Sequence, residues 1–281
     1  MKWTNRHNLD PVITQAVQEE SYEAVGDISV TRLVQPPQLV ALEYQYADVL
    51  EQDVIDGLHM LEGQALHSVL AAVTAPNRLQ EHRLIVDCQG WLISGQLDVL
   101  YEDGHVLKDY KYTTVWSWVY GGKTEWEMQV NFYAHLARCN DLRVDTLSIV
   151  MWFRDWERRE VERTQSYPPL KVMEQVIPLM PDVQQVFEER VRLHQAARQG
   201  TYPPCSDSER WARPDTWAVT KPGAKRAYRV LTEQAMAEAM ARTSGYVVEH
   251  RPGENIRCAR YCPVVDYCEQ AKSLGVVPVR S

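Results

Sequence analysis

No stretch of this 281-residue chain is apolar for long enough to cross a bilayer. Its first residues, Met1-Lys2-Trp3-Thr4-Asn5-Arg6, lead into polar sequence and not into the apolar core of a signal peptide. An intracellular, cytoplasmic protein with no membrane partner is therefore the expectation. No P-loop is present, which excludes a nucleotide-driven helicase of that type, and there is neither an internal repeat nor a low-complexity tract. Positive charge is in deficit, 30 Lys and Arg against 38 Asp and Glu for a net charge of -8. That balance argues against a protein that coats nucleic acid nonspecifically, while leaving room for a local basic groove. Only six cysteines occur. A reducing compartment keeps cysteines out of disulfides, so these need another purpose. The rest is ordinary for a globular protein, 45% hydrophobic and 24% charged, in a chain long enough for a substantial core.

Residues from about 10 to 70 read mainly as helix, interrupted at 28–33 and by Pro36-Pro37. The last of these helices, about 58–73, carries Gly63-Gln64-Ala65-Leu66-His67. Strands are expected at 83–88, 91–101 and 106–112, a helix at 124–138 after Gly121-Gly122, a strand at 146–156 and a further strand at 160–165. This order predicts an α/β sandwich with a mixed central sheet flanked by helices. Past Pro168-Pro169 the character changes. A helix at 182–199 ends at Gly200, a Trp- and Pro-rich loop follows, and a short helix at 232–242 and a hairpin turning at Pro252-Gly253 lead to the last cysteines. The domain organisation expected is an N-terminal helical region at 1–60, a core at 61–167 and a C-terminal region at 168–281.

The chemistry concentrates on the strands at 91–101 and 106–112. Asp103-Gly104 between them is a strong hairpin signal, and a loop of two or of four residues gives the same register. Tyr101 then faces Val106, Leu100 faces Leu107, and Asp98 falls opposite Asp109. Two acidic residues so placed have Cβ atoms about 5 Å apart, and their carboxylates repel by about 3 kcal/mol at an effective dielectric of ~20. A cation between them resolves the conflict. Lys111 shares that strand face. Hard divalent ions such as magnesium and manganese take oxygen ligands, and a metal with a lysine beside it meets the needs of phosphodiester hydrolysis. Lys111 could orient or help deprotonate a water, or neutralise phosphate charge. His67 could add a ligand, and Glu81 a ligand or a hold on a water.

Gly95-Gln96-Leu97-Asp98 followed by Asp109-Tyr110-Lys111 resembles the split acidic motif of the PD-(D/E)XK nuclease superfamily, whose core is restriction-endonuclease-like. Gln129-Val130-Asn131-Phe132-Tyr133 is similar to the Gln-x-x-x-Tyr motif of its RecB-like branch, and Gly63 to His67 to that branch's helix histidine motif. The resemblance spans residues 63–133. It implies a magnesium- or manganese-dependent DNA exonuclease working in recombination, repair or end processing, alone or with other recombination proteins, and encoded by a phage. Asp98, Asp109, His67 and the Tyr110 carbonyl, with Glu81, would hold the metal; Lys111 would be catalytic, and Gln129 and Tyr133 would serve the active site or the DNA. A structure-specific or restriction-type endonuclease and a noncatalytic DNA-binding protein are the competing expectations.

Cys258-x3-Cys262-x5-Cys268, with Cys205 as a fourth member, suits either an iron-sulfur cluster or tetrahedral zinc. The triplet is similar to that of CRISPR-associated and AddB-type nucleases, which hold a [4Fe-4S] cluster. Those relatives place the remote cysteine before the nuclease core, whereas Cys205 follows it. The expected role is structural, and structural zinc is the alternative. Trp116, Trp118 and Arg154 are candidates to touch nucleic acid, and the run from Lys221 to Arg229 combines basic and aromatic residues of the kind that contact phosphates and stack on bases. Cys88 and Cys139 read as inert core thiols.

Overall fold

The structure, a computed structural model, describes residues 2–19, 25–74 and 76–279. The chain divides into two compact units, Met1–Pro203 and Pro204–Ser281. The division comes later than the Pro168-Pro169 break, because the strand and helix after those prolines complete the first unit. Among the described residues, no helix is long and apolar enough to cross a membrane.

The first unit opens with β1 (Lys2–Thr4), α1 (Pro11–Gln18), β2 (Ile28–Ser29), α2 (Val30–Leu33), α3 (Pro37–Gln45), β3 (Glu51–Asp53) and α4 (Val54–Ala71). Pro37 occupies the first turn of α3, where a missing N–H costs nothing. Asp53 joins three pieces with one carboxylate. It accepts from the Thr4 hydroxyl (2.8 Å) and the Arg6 amide (2.9 Å), and caps α4 through the Ile55 amide (3.2 Å). Of the 18 residues of α4 only Val54 and Gly57 are buried, so the helix lies on the surface of the unit.

Then come β4 (Arg78–Cys88), β5 (Trp91–Tyr101), β6 (Val106–Thr113), α5 (Val115–Val119), α6 (Thr124–Cys139), β7 (Thr146–Phe153), α7 (Arg158–Val161), β8 (Val172–Ile177) and α8 (Val183–Arg198). Six strands form a mixed sheet in the order β2-β5-β6-β7-β8, with β4 on the other edge of β5. β2 runs parallel to β5, and β6 to β7; the other pairs are antiparallel. Ile93, Leu97, Leu100, Leu107, Leu147 and Ile149 of the sheet pack with Phe132 and Leu136 of α6 and Phe187 of α8. Each such side chain contributes about 1.5–3 kcal/mol on burial, against at most ~1 kcal/mol for an exposed ion pair. The sheet-helix interface therefore decides the fold. Gly95 marks the closest approach of α6 to β5: a Cβ there would stand 2.9 Å from the Tyr133 ring.

Several elements differ from expectation for identifiable reasons. β4 starts at Arg78 and not at 83, because its first residues are polar and half-exposed and show no apolar alternation. β7 ends at Phe153, where Asp155 turns to accept the Val115 amide (2.8 Å). Residues 160–165 form no strand. They carry almost no apolar side chain to bury, and their start belongs to the single turn of α7. The edge strand is instead β8, paired to β7 from Leu147↔Ile177 to Trp152↔Val172.

On α8, Arg190 Nε donates to the Leu33 carbonyl (3.1 Å), its guanidinium also donates to Gln35, and His194 Nε2 donates to Leu33 (3.1 Å). These bonds satisfy carbonyls that the end of α2 leaves without helical partners. Burial, with Arg190 nearby, pushes the His194 imidazole down to about 4. The unfolded chain takes up a proton near pH 6.5 and the folded one only near 4, so stability is full above 6.5 and lost as pH falls through that window, by about 3 kcal/mol. Urea unfolding of His194→Gln, which keeps a donor but cannot titrate, should lack this component. Parallel pH profiles for the two proteins would exclude it.

The second unit contains β9 (Ala212–Arg213), β10 (Thr216–Thr220), β11 (Arg229–Leu231), α9 (Gln234–Ser244), β12 (Val247–Arg251), β13 (Glu254–Asn255), α10 (Ile256–Arg260), a 3-10 turn (Val265–Tyr267) and α11 (Glu269–Ser273). β10 lies between β11 and β12, and Val219, Ala237 and Ala241 form a small core with α9. Pro252-Gly253 does not turn a hairpin. β12 pairs with β10 and β13 with β9, because the Gly253 amide is held by Asp215 (2.8 Å) in the connection between β9 and β10.

Candidate functional site

Register places the acidic residues. β5 and β6 pair at Tyr101↔Val106, Leu100↔Leu107 and Val99↔Lys108 around a loop at 102–105, and there the ladder ends. The next positions are Asp98 and Asp109. On the other side of β5, Gln80↔Val99 and His82↔Leu97 flank Glu81 and Asp98, which form no ladder pair either. Glu81, Asp98 and Asp109 thus make a row of carboxylates across three strands, and both ladders lapse at it. Glu81 has φ 45°, a left-handed conformation that costs a side-chain-bearing residue about 1 kcal/mol. The far edge of β5 is shared, by β2 at Ile93 and Ser94 and by β6 from Val99 onward. In the interval between them Asp98 Oδ2 accepts the Tyr110 amide at 2.6 Å, substituting a side chain for the missing strand bond.

His67, from α4, approaches this row. Its Nδ1 lies 3.3 Å from Asp98 Oδ1 and 4.0 Å from Glu81 Oε1, and its Nε2 3.2 Å from the Tyr110 carbonyl. His67, Glu81 and Asp98 each offer a ligand atom, all within 4.8 Å of one another. Octahedral ligands at about 2.1 Å from an ion stand ~3 Å apart when adjacent and ~4 Å when opposite. The donor set fits a single divalent cation. The local field also calls for positive charge. The hydrogen bond to Asp98 above all pushes the His67 imidazole up, with Asp98, Glu81 and Asp109 adding to it, and burial pushes the Glu81 carboxyl up. Glu81 Oε2 accepts from Gln96 (2.6 Å), whose own oxygen accepts from Arg83 (3.1 Å).

Asp109 stands apart from that trio. It is 2% exposed, and its Oδ2 lies 2.7 Å from Lys111 Nζ, an ion pair whose angles miss those of a hydrogen bond. Burial pushes its carboxyl up to about 6 even though Lys111 pulls the other way. Lys111 Nζ donates to Gln129 Oε1 (2.9 Å), Gln129 Nε2 donates to the Tyr133 hydroxyl (2.9 Å), and that hydroxyl lies 3.4 Å from Thr31 Oγ1. Gln129 and Tyr133 are 7% and 5% exposed. They back Lys111 and are not at the surface to meet a strand.

Trp116 is 56% exposed and stacks on exposed Tyr120 at 5.8 Å, while Trp118 packs against the core. Arg154 is exposed just past the end of β7. No motif or spacing singles out Thr31, Arg83 or Tyr120. Gln96 sat within the quoted acidic motif, two residues from Asp98, which was the available signal.

In the second unit, Cys205 is anchored at both its amide and its carbonyl by the Gln270 side chain (2.8 and 2.9 Å). Cys268 Sγ accepts the Ala271 amide (3.4 Å) at the start of α11. Burial pushes the Cys205 thiol up to about 12, with the charges of Glu209, Cys268, Cys258 and Cys262 adding to it, and the Cys262 thiol up to about 11. Cys205 and Cys262, whose ionisation is hindered by burial and by neighbouring thiols, are donors that a cationic centre would relieve. Among the described residues, no three of their sulfurs come within 4.8 Å of one another.

No family model matches the chain, and no curated protein matches it. Among solved structures it is similar to SSO0001, at 17% identity over 71% of this chain and 90% of that one, with a TM-score of 0.47. It is similar also to a candidate exonuclease from Eubacterium rectale, at 11% identity over 66% of this chain and 72% of that one, with a TM-score of 0.31. A third likeness is to a phage-related exonuclease from Haemophilus somnus 129PT, at 12% identity over 69% of this chain and 82% of that one, with a TM-score of 0.30.

Proposed function

We propose that the first unit is a divalent-metal-dependent deoxyribonuclease, acting as an exonuclease of the RecB-like PD-(D/E)XK type on DNA ends in recombination or repair. The observation that carries this is the row Glu81, Asp98 and Asp109, at which two strand ladders lapse with His67 and Lys111 on either side. A structural sheet gains nothing from that arrangement. His67, Glu81 and Asp98 would hold magnesium or manganese, with the Tyr110 carbonyl and Asp109 available to add ligands. Such an ion, when bound, acidifies water and neutralises charge on the scissile phosphate. Asp109 holds the Lys111 ammonium beside the row, and the Gln129–Tyr133–Thr31 chain fixes it from behind. Lys111 then orients the attacking water and stabilises the charge that builds on phosphate oxygen. Exposed Trp116 and Tyr120 offer an aromatic face for a base. Cys205, Cys258, Cys262 and Cys268 would hold a [4Fe-4S] cluster as a structural staple of the second unit.

End-labelled linear DNA and covalently closed circular DNA, each with magnesium or manganese, test the reading. Degradation of the linear substrate alone is expected, with Lys111→Met slower by about 10²–10³-fold, the scale of a lost charge-stabilising donor. Cutting of the closed circle would make the enzyme an endonuclease. DNA binding without turnover, unaffected by Lys111→Met, would remove the enzyme reading altogether.

A further inference from the structure

The two units differ in charge. Residues 204–281 carry twelve Lys and Arg against nine Asp and Glu, whereas residues 1–203 carry eighteen against twenty-nine. The excess is concentrated at the connection between β10 and β11. Lys221, Lys225, Arg226 and Arg229 are all exposed, and among the described residues none of the four makes an ion pair. Elsewhere in the unit Arg210, Arg251, Arg260 and Lys272 are engaged by carboxylates. Amid the four cations stands Tyr228, 69% exposed, with its edge against Tyr246 (5.5 Å, 74°).

The connection is ordered despite its exposure. Lys221-Pro222-Gly223-Ala224 closes a turn with the Ala224 amide on the Lys221 carbonyl (2.9 Å); Pro222 presets its own φ, and Gly223 takes the φ of 78° that such a turn requires. The Tyr228 amide donates to Val219 (2.8 Å), so the hairpin is pinned at its base as well. A rigid finger with four uncompensated cations and one ring face costs little entropy to engage a ligand.

We propose that this finger, Lys221 to Arg229, is a grip for single-stranded DNA, its cations on consecutive phosphates and Tyr228 stacked on an unpaired base. The choice of DNA as the polyanion rests on the nuclease reading. The geometry of the finger does not. A phosphate-only surface would need no exposed ring, and an apolar partner would not call for four cations.

The test uses the full chain in EDTA, where binding is read without cleavage. Anisotropy of a short fluorescein-labelled single-stranded oligonucleotide is followed across a salt series for wild type, for Lys221→Glu/Lys225→Glu/Arg226→Glu and for Tyr228→Ala. The triple variant should lose about 2 from the slope of log affinity against log salt, since each phosphate contact on a single strand contributes about 0.7. Tyr228→Ala should bind about tenfold more weakly at an unchanged slope. A control reversal at Arg143, Arg192 and Lys272, exposed cations already paired with carboxylates, should leave the slope near wild type. An unchanged slope in the finger variant, or an equal loss in the control, overturns the proposal. The two readings fail separately: absence of metal-dependent cleavage beside an intact finger-dependent salt slope refutes the nuclease assignment alone, and an unchanged slope in the finger variant beside intact cleavage refutes the finger alone.

Discussion

Asp98→Asn is expected to slow DNA cleavage by about 10³-fold and, in EDTA, to raise the melting temperature of the first unit by about 3 °C. Both effects come from the same place. Asn keeps an oxygen for the Tyr110 amide, so the strand junction survives, but it removes the central negative charge of the row Glu81–Asp98–Asp109. Each neighbouring carboxylate pair repels by about 3 kcal/mol at ~5 Å. The charged interaction of His67 with Asp98 across 3.3 Å, about 5 kcal/mol at the same effective dielectric of ~20, offsets most of that gain and leaves a net of about 1 kcal/mol. Saturating manganese should invert the order, because wild type is then stabilised through its ion and the variant is not. A cleavage assay, with melting in EDTA and in saturating manganese, measures all three quantities. Cleavage close to the wild-type rate would sink the metal assignment, and a lower melting point in EDTA would show the row to be structural.

Cys262→Ser should unfold the second unit, at a cost of several kcal/mol, the scale on which a bound metal stabilises a small domain. The unit's buried apolar residues are chiefly alanines, Ala218, Ala237, Ala241, Ala259 and Ala271, with Val219 and Val264 the larger exceptions. A domain of this size with so little apolar volume needs a staple. In the proposed reading Cys205, Cys258, Cys262 and Cys268 would supply one; Gln270 binds the Cys205 backbone beside the C-terminal helix. Anaerobic purification with iron, sulfide and zinc analysis identifies the cofactor, and hydrogen exchange over 204–281 reports the fold. Wild type should carry four irons with protected amides, and the variant neither. Zinc in place of iron would correct the cofactor and keep the staple. Full protection in a metal-free variant would dispose of both.

The hairpin was legible in the sequence because two local signals agreed, the Asp103-Gly104 turn and apolar runs of strand character, and a register slip would have exposed Leu100 and Leu107. The four-residue offset of Gln129 and Tyr133 was legible for the same reason. Their burial was not, since it depends on how closely α6 approaches β5 over Gly95, a distance no spacing encodes. The left-handed backbone at Glu81 was equally hidden: nothing about a glutamate announces φ 45°. β8 is hard to read from sequence because an edge strand needs apolar side chains on only part of one face, and residues 160–165 resemble a strand only because polar alternation mimics strand periodicity without supplying anything to bury.

The way β5 shares one edge between β2 and β6 has a consequence for how the chain is made. Ile28 must wait for Ile93, and β7 for β8, so the sheet has high contact order and cannot close until residue 177 has emerged. The N-terminal third cannot finish folding early by itself, and Thr31 reaches the Tyr133 hydroxyl only after that long loop has shut. Cys205 and the Cys258 triplet are synthesised later still. During vectorial synthesis at about 5–20 residues per second, the six-stranded sheet can assemble before the last thiol appears. Any group those four cysteines hold would then be loaded onto a polypeptide whose first unit is already built.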